Sequence, residues 1–291
     1  MFADFTFGKK LLVLLGIFIL LDVVGNVVGL GCGLAEDVLL SKTNTIRLEQ
    51  FVASVIVFIG TPYVFFYLTG KPKCSFGQFF KLRKENSSLL YLLAIIAWGS
   101  LLPIVNYTAS INEQMTFPEY LKELEDALKN MEDLAEKLTL DLLKTDSPIM
   151  LLINMVIIAA VPAIGEEMTF RGALQKTIQE KMSPWAAITI TSIIFSALHF
   201  QFYGFIPRFI LSIFLGMLYY FSGSIKLNML AHFCNNAIAV IAFYICTVAG
   251  VNIDEAPTET LGKDDIMPVT IATLIFAGVM WAIYKESRKR I

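Results

Sequence analysis

Charge, cysteine and histidine are all scarce in this 291-residue chain. Charged side chains make up 16% of it against 56% hydrophobic ones, which excludes an ordinary soluble domain and a disordered chain. The 23 basic residues nearly balance the 25 acidic ones. No basic field is left to draw a phosphate backbone, so no nucleic acid is expected as a partner. Cys32, Cys74, Cys234 and Cys246 show no CxxC spacing. That argues against a disulfide scaffold and a thiolate zinc site and leaves free thiols or small apolar fillers. HExxH, GxSxG, Walker and GxGxxG signatures are missing, which weakens the zincin and serine routes to hydrolysis and removes the common nucleotide-binding ones. Solenoid-length repeats, low-complexity tracts and a second globular domain are missing too.

What the sequence has in quantity is long apolar runs. A bilayer core of roughly 30 Å takes about 20 mostly apolar helical residues to cross. Eight runs approach that length: Leu11–Leu34, Phe51–Thr69, Ser88–Tyr107, Ile149–Leu174, Pro184–Phe200, Phe205–Ser222, Leu227–Ala249 and Ile266–Tyr284. They are continuous rather than alternating, which predicts helices and not a barrel. The expected fold is all-α: residues 1–291 form one integral-membrane domain, a polytopic bundle of about eight transmembrane helices. The first run is too long for a signal peptide and has no A-x-A site. Its glycines Gly25, Gly29 and Gly33 recur every four residues as a face for close helix packing.

Basic residues set the orientation. With the N-terminus inside, Lys71, Lys73, Lys81, Arg83 and Lys84 and the tail residues Lys285, Arg288, Lys289 and Arg290 all face the cytoplasm. Residues 110–147, with ten acids and four lysines, and residues 251–265, with five acids and one lysine, then lie outside. Both termini are expected in the cytoplasm, the protein in the plasma membrane, and membrane lipid around it. Within the 110–147 insertion, Leu121, Leu124, Leu128, Met131, Leu134, Leu138 and Leu142 recur at helical spacing among charges, an extramembrane amphipathic helix between the third and fourth spans. It is expected to lie as a lid on its own protein. Pairing with another copy or presenting a substrate surface stay open, and the sequence sets no oligomeric state.

Ionisable groups in hydrocarbon cost several kcal/mol unless paired or facing a cavity, so the few inside the runs are functional suspects. They are Asp22, Glu166, Glu167, Arg171, His199, Arg208 and His232, with Lys226 at an interface. Glu167 and Arg171, four apart, can pair on one helix face, leaving Glu166 on a neighbouring face to take a proton from water. His232 and Asn236 share a face of another helix, from which both can donate to a developing oxyanion. Asn235 lies off that face. A single intramembrane His or Asn more often bridges helices, a bond worth about 1 kcal/mol. Two glutamates, both histidines of the chain and an asparagine on three helices point instead to a site. Asp22, Asn26 and Arg208 are read as packing or interface groups.

Glu166-Glu167-x-x-x-Arg171, Phe195-x-x-x-His199 and His232-x-x-x-Asn236 resemble, in order, the three motifs of the CAAX protease and bacteriocin-processing (CPBP, or Abi) family of intramembrane endopeptidases, which includes type II CAAX prenyl proteases. The resemblance covers residues 150–245, the expected catalytic core. It implies hydrolysis of a peptide bond in a membrane-associated or lipidated, possibly CAAX-type, protein or peptide. By the same resemblance Glu166 with His199 activates water, His232 and Asn236 hold the oxyanion, and Glu167 and Arg171 brace the site. That mechanism requires no cofactor. The alternative is a metalloprotease with zinc on Glu166, His199 and His232. Rival readings are a proton-coupled transporter using Glu166, His199 and His232 as a relay, and a non-catalytic immunity or scaffold protein. One tension is internal to the sequence: a straight helix from Pro184 puts His199 some 22 Å deep, whereas His232 lies a turn or two inside its own helix.

Overall fold

The computed structural model describes residues 5–33, 41–70, 74–82, 86–251 and 265–289. Lys71, Lys73, Arg83, Lys84, Arg290 and most of the acidic 251–265 loop lie outside the described residues, and of Gly33 only the helical backbone is described. The long helices are α1 (Phe7–Gly33), α2 (Lys42–Thr69), α3 (Ser88–Glu113), α4 (Lys122–Leu143), α5 (Pro148–Ile178), α6 (Pro184–Ala197), α7 (Phe205–Ser222), α8 (Lys226–Val248) and α9 (Ile266–Arg288). No strand occurs among the described residues. Seven of these helices are long and apolar enough to cross a bilayer, and the protein is an all-α, polytopic integral membrane protein.

The fifth expected span differs. It becomes α6, a helix of 14 residues and so about 21 Å long. α6 opens with Pro184 in its first turn and a Ser183 hydroxyl accepting from the Ala186 N–H. It ends at Ala197, so His199 sits on the connection to α7 and not inside a span.

Two apolar clusters enclose the middle of the bundle. One joins Ala94, Ala97 and Leu101 of α3 to Phe214, Leu215 and Leu218 of α7, Leu227 and Ala231 of α8, and Met280 and Ile283 of α9. The other joins Leu14 and Ile17 of α1 to Phe65 of α2, Met168 and Ala173 of α5, and Tyr219 of α7. α5 and α7 run between them. The expected glycine face is used: a Cβ on Gly25 would stand 3.3 Å from Val57 and 3.4 Å from Ala53 of α2. At Gly165 the approach is closer, since a Cβ there would come within 2.6 Å of Phe58 Cβ. Any side chain would push α5 off α2.

Two prolines shape the helices around the site. Proline has no N–H, so the carbonyl four residues before it loses its usual helical donor. Pro62 leaves Phe58 O in this position and Pro162 leaves Ile158 O, and both carbonyls lie in π-helical turns, Val55–Ile59 and Met155–Ala160. Each is met by a side chain from another helix. Thr169 Oγ1 donates to Phe58 O at 3.3 Å and Asn236 Nδ2 to Ile158 O at 3.2 Å.

α4 does pack on its own protein, but of its apolar stripe only the C-terminal end, Leu142, is buried there. Glu125, Leu142 and Leu143 turn inward, Glu132 Oε2 accepts from the Tyr203 N–H at 3.1 Å, and Leu142 O accepts from Arg47 at 2.7 Å and Asn154 at 2.8 Å. Leu124, Met131, Leu134 and Leu138 stay exposed. The inward face was chosen by buried hydrogen bonds that hydrophobic periodicity does not see.

Candidate active site

Glu166, Glu167 and Arg171 sit on α5 where it passes between α7 and α8. Glu167 and Arg171 are both fully buried. Their i,i+4 spacing puts Arg171 NH1 2.8 Å from Glu167 Oε1. The second guanidinium nitrogen donates to Ser212 Oγ at 2.7 Å and Ser212 O at 3.0 Å on α7. One turn on, Gln175 Nε2 reaches Gly216 O at 3.2 Å. Arg171 and Gln175 thus fasten α5 to α7, each donating to a backbone carbonyl, while Glu167 supplies the charge that matches Arg171.

Glu167 also fixes His232. Its Oε1 lies 2.9 Å from His232 Nδ1, and beside Arg171 this oxygen is the acceptor. Nδ1 therefore carries the proton, and in neutral His232 the lone pair is on Nε2. Nε2 faces Glu166, 3.8 Å from Oε2. A water can sit at about 2.8 Å from both atoms. Glu166 itself is 9% exposed. The cluster counts two carboxylates against one guanidinium, so one further proton, on Glu166 or on His232, makes it neutral in surroundings where net charge is costly. Such a pair can take a proton and give it back.

Asn236, one turn after His232, is held between Ile158 O and Asn235, whose Nδ2 donates to Asn236 Oδ1 at 3.3 Å. Asn235 in turn accepts from Trp98 Nε1 at 3.4 Å. Asn235 is off the His232 face, as expected, yet it orients the amide that is on it. Asn228, a turn before His232, is buried and donates to Leu215 O. It continues the 228–232–236 stripe, and the i,i+4 spacing was there to be read. Asn26 stays a local group, bonding the Asp22 carbonyl at 2.8 Å. Arg208 ties the 199–208 segment together through Gln201, 4.0 Å from Glu132.

His199 is the member that stands apart. Its Nδ1 donates to Phe195 O at 2.8 Å, and the residue as a whole is exposed. The Phe195 ring packs against both imidazoles, with centroids 4.9 Å from His199 and 6.1 Å from His232. Both histidines thus flank one ring, so the two imidazoles come together in spite of their different distances along their own helices. The imidazole brought to Glu166 is His232. For zinc the donor chemistry of Glu166, His199 and His232 is suitable, but the placement is not. No three of His, Cys, Asp and Glu gather as metal ligands among the described residues, so no step is derived through a metal. The described cysteines are free thiols.

No curated protein and no solved structure matches the chain. Residues 148–238, which carry Glu166, Glu167, Arg171, Phe195, His199, His232 and Asn236, match the family model described as type II CAAX prenyl endopeptidase Rce1-like. Through this stretch, which holds the buried glutamate–histidine cluster, the chain is similar to the CAAX-type intramembrane proteases of the CPBP family.

Proposed function

We propose that this protein is a glutamate-type intramembrane endopeptidase that hydrolyses a peptide bond in a membrane-associated or lipidated substrate of CAAX type. The observation that carries the reading is the facing pair Glu166–His232, 3.8 Å apart, with Nδ1 of the imidazole anchored on Glu167 and Glu167 matched by Arg171. A water between Glu166 Oε2 and His232 Nε2 gives a proton to Glu166 as its oxygen bonds to the substrate carbonyl carbon. The carbonyl π electrons move to oxygen, and the Asn236 amide donates to that oxyanion. Collapse breaks the C–N bond, and the same proton, held by Glu166 or His232, goes to the leaving nitrogen. In this scheme His232 takes the water-activating place that the family resemblance gives to His199. His199, the more exposed of the two histidines, meets the substrate. By the distribution of Lys and Arg, both termini are placed in the cytoplasm.

The test is cleavage of a CAAX-type peptide, with and without its prenyl group, by the full chain in proteoliposomes, read by mass spectrometry. Glu166→Gln keeps the shape and removes the base, and turnover should fall by about 100-fold or more while the thermal transition is retained. Unchanged turnover in Glu166→Gln rejects the mechanism. Loss of turnover on chelation, restored by zinc, replaces it with the metal reading. Proton flux without any cleavage, abolished by the same variant, makes the protein a carrier.

A further inference from the structure

α4 carries three separate faces. At about 100° per residue, Glu125 and Glu132 mark the side turned to the protein, where Glu132 holds the Tyr203 N–H and Lys129 pairs with Glu125 at 2.7 Å. Asp126, Asp133 and Lys137 mark an exposed charged side. Between the two on the far side runs an apolar stripe, with Leu124 and Met131 47% and Leu134 60% exposed, that no described residue covers. A helix standing free in water has no use for this third face, and a simple lid would turn it inward.

The depth of α4 says what covers the stripe. α5 is apolar from its first turn, Pro148-Ile149-Met150-Leu151-Leu152. Asn154, six residues and so about 9 Å inside that start, donates to the α4 carbonyl Leu142 O. The C-terminal end of α4 is therefore pinned below the tip of a membrane-crossing helix, at the depth where an amphipathic helix rests in the headgroup–acyl boundary, about 5–10 Å in. Beside this joint the outward side of α5 continues with the exposed Ile149 and Leu152, a surface that faces lipid in any span. A second copy is a poorer occupant. α4 carries seven acids against three lysines, and two such helices meeting stripe to stripe would bring like charges together.

We propose that α4 is an interfacial helix whose Leu124, Met131, Leu134 and Leu138 stripe is seated in the surface of the lipid bilayer. Its charged side faces water and its Glu132 side grips the segment that follows His199. The inference is independent of the catalytic reading.

The experiment places an environment-sensitive fluorophore on the full chain in phosphatidylcholine vesicles, at Met131→Cys, Leu134→Cys or Asp133→Cys with the four native cysteines replaced. Labels at 131 and 134 should be quenched by nitroxide on the lipid acyl chains and protected from aqueous iodide, and the label at 133 should show the reverse. Equal iodide quenching at all three positions overturns the proposal. So does protection from both quenchers together with a 134–134 disulfide between copies. Should the cysteine-free chain not fold, Leu134→Trp and Asp133→Trp in the native background, read as extra quenching by brominated lipid over the parent, carry the same test: quenching at 134 alone supports the interfacial seat, and none at 134 rejects it.

Discussion

Arg171 and Glu167 in α5 and Lys129 and Glu125 in α4 are both i,i+4 pairs, with N···O distances of 2.8 and 2.7 Å, yet they live in different solvents. The first pair is wholly buried, whereas the Lys129 side chain is 47% exposed. Near water the Coulomb attraction is weakened and the freed partner is re-solvated. Inside the bundle neither happens, so the interior pair holds a third group in place: Glu167 binds Arg171 and His232 through the same oxygen. Sequence spacing is the same in both, and burial sets the two apart: the interior pair braces the proposed site through His232.

The comparison is broken most directly at Arg171. Arg171→Met strands Glu167 as an uncompensated buried charge and should cost about 3–5 kcal/mol, seen as a large drop in the thermal transition in detergent. Adding Glu167→Gln should recover part of that loss, and a single variant as stable as the parent would put both pairs in one class. Second comes an interior fixing without charge. Pro162→Ala gives Ile158 O back its helical donor, so Asn236 loses its anchor, and turnover should fall about tenfold with little change in stability.

Glu132 lies between the extremes. Half-buried, its carboxyl is pushed up by desolvation, against the smaller pull of the Tyr203 N–H and Arg208. A carboxyl raised in the folded state favours folding below its ordinary range and loses that contribution as pH rises through the raised value. Glu132→Gln should therefore be at least as stable as the parent at neutral pH, and the gap should close as the pH is lowered through the carboxylate range. The smallest effect is expected at Lys129→Ala. Glu125 is held below its usual range chiefly by the Lys129 hydrogen bond, so the pair's contribution is present at neutral pH and lost as pH falls through that lowered value. Raising salt should erase the difference in melting temperature between Lys129→Ala and the parent.

Helix class, the positions of the long spans and the Glu–Glu–Arg, Phe–His and His–Asn motifs were legible because apolar runs and i,i+4 spacings are local properties. Partnership was not. Nothing in the spacing of His199 and His232 says which imidazole meets Glu166, since that depends on α6 ending at Ala197 and on Phe195 standing between the rings. The inward face of α4 was hidden for a similar reason: its apolar residues outnumber the two glutamates that dock it, yet docking followed the backbone donor at Tyr203. Pro62 and Pro162 were readable signals of carbonyls left open four residues upstream, and they point to Thr169 and Asn236 once the helices are side by side.

Those two joints have a property that the ionic cluster beside them lacks. What keeps Phe58 O and Ile158 O available is a hydrogen atom that proline never had, a fact of covalent structure and not of ionisation. In the mechanism proposed above, protons pass between Glu166, His232 and a substrate, and the charges in the middle of the bundle rearrange with every cycle. Neither joint ionises, so Thr169 on Phe58 O and Asn236 on Ile158 O can hold the frame still while the charges beside them change sign.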